Sequence, residues 1–187
     1  MFPKDFKDLI RIFNRNGVEY LLVGGYAFGV HARARATNDL DLFIRSSASN
    51  SRAIFKALCE FGAPLHGMTT KDFQDGESGL QFGQEPHRVD ILQRISGVDF
   101  EEAWKARVAA TIEGDTPINV ISREHLLQNK RAAKRPKDLL DVKEIEKAAK
   151  APPQQRPTDD RSSTHLRERS SSKRSRGGKS GRAGSRR

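Results

Sequence analysis

Apolar residues Phe2, Phe6, Leu9, Ile10 and Phe13 recur at helical spacing, so the chain opens on an amphipathic helix. Pro3 suits its first turn and Asn16-Gly17 ends it. Residues 20–23 are a short apolar run closed by Gly24-Gly25, a buried strand. Residues 26–35 lack two-residue alternation and predict a helix. Residues 38–45 alternate cleanly, with Asp39 and Asp41 set against Leu40, Leu42 and Ile44, and predict a second strand. After a polar connector, Asn50 or Ser51 caps a helix whose buried face carries Ile54, Leu58 and Phe61. Cys59 falls on that helix and reads as a small buried hydrophobe rather than a nucleophile.

Residues 62–83 carry a weaker signal, with short strands expected at 66–68 and 80–82. Residues 87–93 are a clearer strand, Val89 and Ile91 on one face, Arg88 and Asp90 on the other. A helical turn at 100–104 and strands at 108–112 and 118–121 follow. Ser122 caps a helix through Leu126, Leu127 and Lys130. Pro136 restarts the chain, and 137–149 form a last helix with Leu139, Leu140, Val142 and Ile145 mostly on one side. Trp104 and the helically spaced phenylalanines read as core.

Composition changes the picture beyond residue 150. Of the chain's formal net charge of +10, residues 151–187 hold 11 Lys+Arg against 3 Asp+Glu, which leaves 1–150 nearly neutral. Pro152-Pro153, Pro157 and then Ser, Arg and Gly, with Leu166 the one notable apolar residue, cannot offset chain entropy, so this segment is expected to be disordered. As a flexible polycation it would bind RNA, DNA or another polyanion without sequence specificity; a solubilising extension is the equal alternative. The division expected is a domain at 1–150 and a basic tail at 151–187. A single cysteine excludes an intrachain disulfide and a Cys-rich zinc site. The early charges of MFPKDFKDL argue against a signal peptide, and no run nears the roughly 18 apolar residues of a membrane span. A cytoplasmic location is expected. His66, His87 and His125 have no metal-ligand spacing, and His31 reads as an ordinary helix residue.

The chemistry concentrates in residues 20–44. Strand residues two apart share a face about 6.5–7 Å apart, so Asp39 and Asp41 point together while the leucines point into the core. Two such carboxylates can share divalent ions about 3.5–4 Å apart, and like charges this close call for a cation. Asp90 holds the matching position on 87–93. If those strands are neighbours, three hard oxygen ligands result, suited to magnesium or manganese. Gly24-Gly25, where strand turns to helix, lets backbone amides approach a phosphate. A phosphate cradle facing carboxylates that hold two ions is what phosphoryl or nucleotidyl transfer requires. An Asp-x-Asp alone is commonplace in solvated strands; order, spacing and apolar framing together make the case.

Gly24-Gly25, thirteen residues, then Asp39-Leu40-Asp41-Leu42 resembles the signature of the DNA polymerase β-type nucleotidyltransferase superfamily, most of all its small bacterial members, which include toxin–antitoxin and abortive-infection toxins. Asp90 in Arg-Val-Asp-Ile-Leu matches the third metal-binding carboxylate. Lys130, with Arg135-Pro136-Lys137-Asp138-Leu139-Leu140-Asp141, resembles the late motifs of the toxin-like branch that bind nucleotide and complete the site. The resemblance implies an α+β fold, a small mixed sheet with helices packed on one face and further C-terminal helices. It implies catalytic and metal-binding Asp39, Asp41 and Asp90, two Mg2+ or Mn2+ ions, and a nucleoside triphosphate as substrate. Gly24, Gly25, Lys130 and Lys137 would bind nucleotide. Arg35, Thr37 and Asp138 would support them, although Arg33, Arg35 and Thr37 could contact phosphate or acceptor, or Arg35 could simply balance Asp39 and Asp41. A solvated helix face with surface ion pairing is the plain alternative for Lys130, Lys134, Arg135 and Lys137 with Asp138 and Asp141. The expected acceptor is a tRNA end or a protein, with a cognate antitoxin or regulatory protein as partner and the basic tail as a nucleic-acid contact. The competing reading is a non-catalytic RNA-binding module that keeps the fold. One departure stands out: many superfamily members have Gly-Ser where this chain has Gly24-Gly25, so residue 25 brings no hydroxyl.

Overall fold

The structure is a computed structural model that describes residues 2–150; the basic segment expected to be disordered lies outside the described residues. The first helix, α1 (Lys4–Arg15), buries Phe6, Leu9, Ile10 and Phe13, the stripe its spacing predicts. Strand β1 (Tyr20–Leu22) is wholly buried, and α2 (Gly24–His31) begins directly at the glycine pair. That start precedes the expected one because Gly24, at φ +62°, turns the chain sharply enough for Val23 to accept from Ala27. β2 (Asp39–Ile44) is followed by α3 (Ala48–Phe61). Then come β3 (Gly79–Phe82), β4 (Arg88–Leu92), α4 (Phe100–Lys105), β5 (Val108–Ile112), β6 (Thr116–Val120), α5 (Arg123–Ala133) and α6 (Pro136–Lys150).

The strands form one mixed sheet in the order β3-β4-β2-β1-β6-β5. β2 runs parallel to β4 and antiparallel to β1, and β1 runs parallel to β6. Register places Tyr20 opposite Ile44, Leu22 opposite Leu42, and Leu40 and Leu42 beside Val89 and Ile91. These side chains share one face, which α1 and α3 cover: Phe13 meets Tyr20 and Phe61 meets Phe82 with ring centroids 5.7 and 6.0 Å apart. This is the anticipated α+β arrangement. The opposite face carries Asp39, Asp41 and Asp90, and α4 reaches it at Phe43, whose ring lies 5.1 Å from Phe100. No helix among the described residues is long and apolar enough to cross a membrane.

Three local expectations give way. Residues 66–68 are a turn rather than a strand, because His66 and Gly67 both take positive φ. A 3-10 turn (Thr70–Phe73) follows, closed by reciprocal Thr69 and Asp72 bonds, and buries Phe73. Cys59 is exposed, on the solvent side of α3. The cap of α3 is Ser47, which accepts from the Asn50 amide.

Asn50 is instead a buried clamp, 3% exposed. Its Nδ2 donates to Glu19 O and Arg45 O, both at 2.9 Å, and its Oδ1 accepts from Glu19 N at 2.8 Å. One side chain thereby satisfies the backbone entering β1 and leaving β2, which α3 alone could not do. Asn50→Ala strands these groups and is expected to destabilise the fold by about 2–4 kcal/mol, read as a lower urea midpoint with unchanged slope.

Candidate active site

The parallel pairing of β2 with β4 sets Asp41 directly beside Asp90 and Asp39 beside Arg88. Strand alternation then puts all four side chains on one face. The Arg88 Nη2 lies 3.1 Å from Asp39 Oδ2 and 3.2 Å from Asp90 Oδ2, and its Nε donates to the same Asp90 oxygen at 3.3 Å. Gln81 on β3, opposite Asp90 in register, donates to its other oxygen at 2.8 Å. Asp41 has no such partner among the described side chains. Burial lifts its carboxyl above the usual range, and the negative charges of Asp90 and Asp39 add to the shift, against the pull of Arg88 and the Gly25 amide.

The sequence-derived metal triad is thus gathered on one face, but not as a ligand cluster. Among the described residues, no three His, Cys, Asp or Glu side chains stand in a metal-holding arrangement; Asp39 and Asp90 are paired with Arg88. The donor chemistry nonetheless fits a hard divalent ion: oxygen ligands only, with one carboxylate held above its normal pKa by burial and, after it, by its acidic neighbours. Such destabilised negative charge is what a bound cation relieves.

Gly24 and Gly25 are both sterically required. A Cβ on Gly24 would lie 1.9 Å from Asp41 Oδ2, and one on Gly25 would lie 2.6 Å from Thr37 Oγ1. The start of α2 therefore sits against Asp41 and beneath the loop 32–38. The missing side chain at residue 25 leaves room for the Thr37 hydroxyl, which makes only a long bond to Asp39 O, 3.5 Å. A hydroxyl is thus present at the glycine pair, supplied from residue 37.

Arg35 does not balance Asp39 and Asp41. It stacks over Phe28, with Cζ 4.9 Å from the ring centroid, and pairs with Asp141 at 3.1 Å. Lys130 is buried, 4% exposed, with Nζ 3.1 Å from Asp138 Oδ1 and 2.7 Å from Asp141 Oδ2. Arg135 pairs with the second Asp138 oxygen. This is an internal charge network rather than the solvated helix face that composition alone suggests. Burial pushes the Asp138 carboxyl up, but bonds from Arg135 and Lys130 outweigh it and hold the group below its ordinary range. Arg135 is pushed up by its bond to Asp138 first, and further by the charges of Asp138, Asp41 and Asp141. Lys137 is exposed on the corner between α5 and α6, with no ion pair among the described residues. Sequence reasoning passed over Arg88 and Gln81 as site members. The signal for Arg88 was available, because alternation puts it on Asp90's face.

No protein-family model matches the chain, and no curated protein matches its sequence. Among solved structures, the chain is similar to a lincomycin-bound lincosamide antibiotic adenylyltransferase, LnuA, at 17% identity and a TM-score of 0.51, over 78% of this chain and 97% of that one. The likeness shows the fold: the mixed sheet with its helices is arranged as in that enzyme.

Two substitutions probe this construction. Gly24→Ala forces a positive-φ alanine against Asp41 and is expected to cost at least about 1–2 kcal/mol in urea unfolding. Lys130→Met leaves Asp138 and Asp141 buried with less compensation and is expected to cost about 3–5 kcal/mol, part of which Lys130→Met combined with Asp141→Asn restores.

Proposed function

We propose that this chain is a metal-dependent nucleotidyltransferase that moves a nucleoside monophosphate from a nucleoside triphosphate to a hydroxyl. The observation that carries the reading is the register of β2 and β4, which sets Asp39, Asp41 and Asp90 on one face beside the glycine-led start of α2. Asp39, Asp41 and Asp90 would hold two magnesium or manganese ions, which when bound supply Lewis acidity to the acceptor hydroxyl and to the departing pyrophosphate. The acceptor oxygen forms a bond to the α-phosphorus, the bond from that phosphorus to the β-phosphate oxygen breaks, and the hydroxyl proton passes to the carboxylate cluster. Gly24 and Gly25 offer backbone amides to the triphosphate, and the Thr37 hydroxyl stands beside them. Arg135 and Lys137, at the corner between α5 and α6, would add positive charge for the phosphates. Lys130 and Asp138 hold that corner in place, and Arg35 ties the loop 32–38 to it.

The acceptor class is a tRNA end, a protein side chain or a small hydroxylated molecule. The first two follow the toxin-like resemblance, with a cognate antitoxin as partner; the third is the class named for the lincosamide adenylyltransferase that shares the fold. The basic segment 151–187 would raise the local concentration of an RNA acceptor.

Labelled nucleoside triphosphates incubated with magnesium and, in separate arms, total tRNA, total protein and lincosamides are expected to label one acceptor class. Asp39→Asn is expected to abolish labelling. Absence of labelling with all four nucleotides, by protein that circular dichroism shows folded, overturns the assignment. The competing non-catalytic RNA-binding reading draws on the Arg88 ion pairs, which already neutralise part of the acidic face. It requires RNA binding that survives Asp39→Asn and disappears when residues 151–187 are removed.

A further inference from the structure

The carboxylate face holds a cation of its own. The Arg88 guanidinium lies between Asp39 and Asp90, bonded to both. Its placement follows from register: Arg88 is Asp39's neighbour across the parallel ladder and sits two residues before Asp90 on the same strand. An arginine there faces two carboxylates at once, and its planar fork of donors can serve both. The bridge has little structural weight, because the Arg88 side chain is 46% exposed and ion pairs so exposed contribute about 0–1 kcal/mol.

We propose that Arg88 is a cation gate, its guanidinium occupying the space between Asp39 and Asp90 that a divalent ion would take and leaving when the ion enters. The inference rests on the metal-dependent reading of the site and adds a positioning residue that controls entry. Two features support it beyond the bridge itself. Among the described residues, the carboxylates form no metal-holding group with Arg88 in place. Asp41, the one carboxylate that Arg88 does not bond, stays without a side-chain partner beside Asp90, so the guanidinium neutralises the face incompletely. A divalent ion carries more charge and can serve all three carboxylates, so it can displace the arginine. The cost of displacement appears as lowered affinity, in proportion to the fraction of molecules with the gate open.

A gate closed about nine-tenths of the time weakens apparent ion binding about tenfold. The full chain, without nucleotide and at fixed ionic strength, is titrated with Mn2+ alone, and bound ion is read from water-proton relaxation or the loss of the free-ion electron spin resonance signal. Arg88→Ala is expected to bind Mn2+ about tenfold more tightly than the unsubstituted chain. Arg88→Lys, which keeps the charge but loses the fork, is expected to fall between them. Arg94→Ala removes an exposed positive charge elsewhere and is expected to leave affinity unchanged. Unchanged or weaker binding in Arg88→Ala, with binding still lost in Asp39→Asn, overturns the gate and leaves the metal reading standing. An equal gain in Arg94→Ala also overturns it, because general charge would then be the cause. If neither the unsubstituted chain nor Arg88→Ala shows binding that depends on Asp39, the metal reading fails and the gate with it.

Discussion

The parallel register between β2 and β4 is the constraint from which the site follows. It gives one face Leu40, Leu42, Val89 and Ile91, buried under α1 and α3, and the other Asp39, Asp41, Arg88 and Asp90. Because side chains alternate, a slip of one residue would carry leucines to the open face and carboxylates into the core. Such a slip would bury several charges without partners, at a cost of several kcal/mol each. Hydrophobic burial on one side and acidic chemistry on the other are therefore two consequences of one pairing. The fold cannot keep its core without also assembling the carboxylates.

Much of this was legible in the chain. Clean alternation in residues 38–45 and 87–93 marked both strands and identified which residues would share the polar face. Whether the strands were neighbours was not legible, since parallel pairing is non-local and no local signal encodes it. Capping misled for a related reason. Ser47, Asn50 and Ser51 are all plausible caps, and the choice fell to Ser47 because Asn50 is drawn into bonds with Glu19 and Arg45 from other elements. Gln93 behaves likewise, with Nε2 donating to Asp72 O, Asp75 Oδ1 and Ser78 O. Polar residues that serve distant backbone look like ordinary loop residues in one dimension. At His66-Gly67 the sequence signal is weak, and the positive φ of both residues, which makes the turn, has no mark in hydrophobic patterning.

The glycine pair gained a second meaning in three dimensions. As a motif it suggested close approach to a phosphate. The geometry adds that each glycine is required by a neighbour, Gly24 by Asp41 and Gly25 by Thr37. The glycine pair and the carboxylate face are thus packed against each other without a spacer. The position of one therefore depends on the shape of the other, and a side chain at residue 24 disturbs Asp41 before it meets any ligand.

The last helix is attached in a different way. α6 buries Val142 and Ile145, but also Asp138 and Asp141, while Leu139 and Leu140 remain exposed. Its apolar contribution is small, and much of its contact with the rest of the chain runs through Lys130, Arg35 and Arg135. Removing two carboxylates from water is costly, and a hydrophobic contact of equal volume is often as stabilising. Hydrogen-bonded charges, however, fix an angle and a register that apolar contacts leave loose. Asp138 takes Lys130 on one oxygen and Arg135 on the other, so the carboxylate that anchors the helix also fixes the Arg135 guanidinium. An apolar replacement could keep α6 in place yet release the corner between α5 and α6. The buried network therefore makes sense as a device for holding positive charge at a set position at that corner, with stability as its lesser consequence.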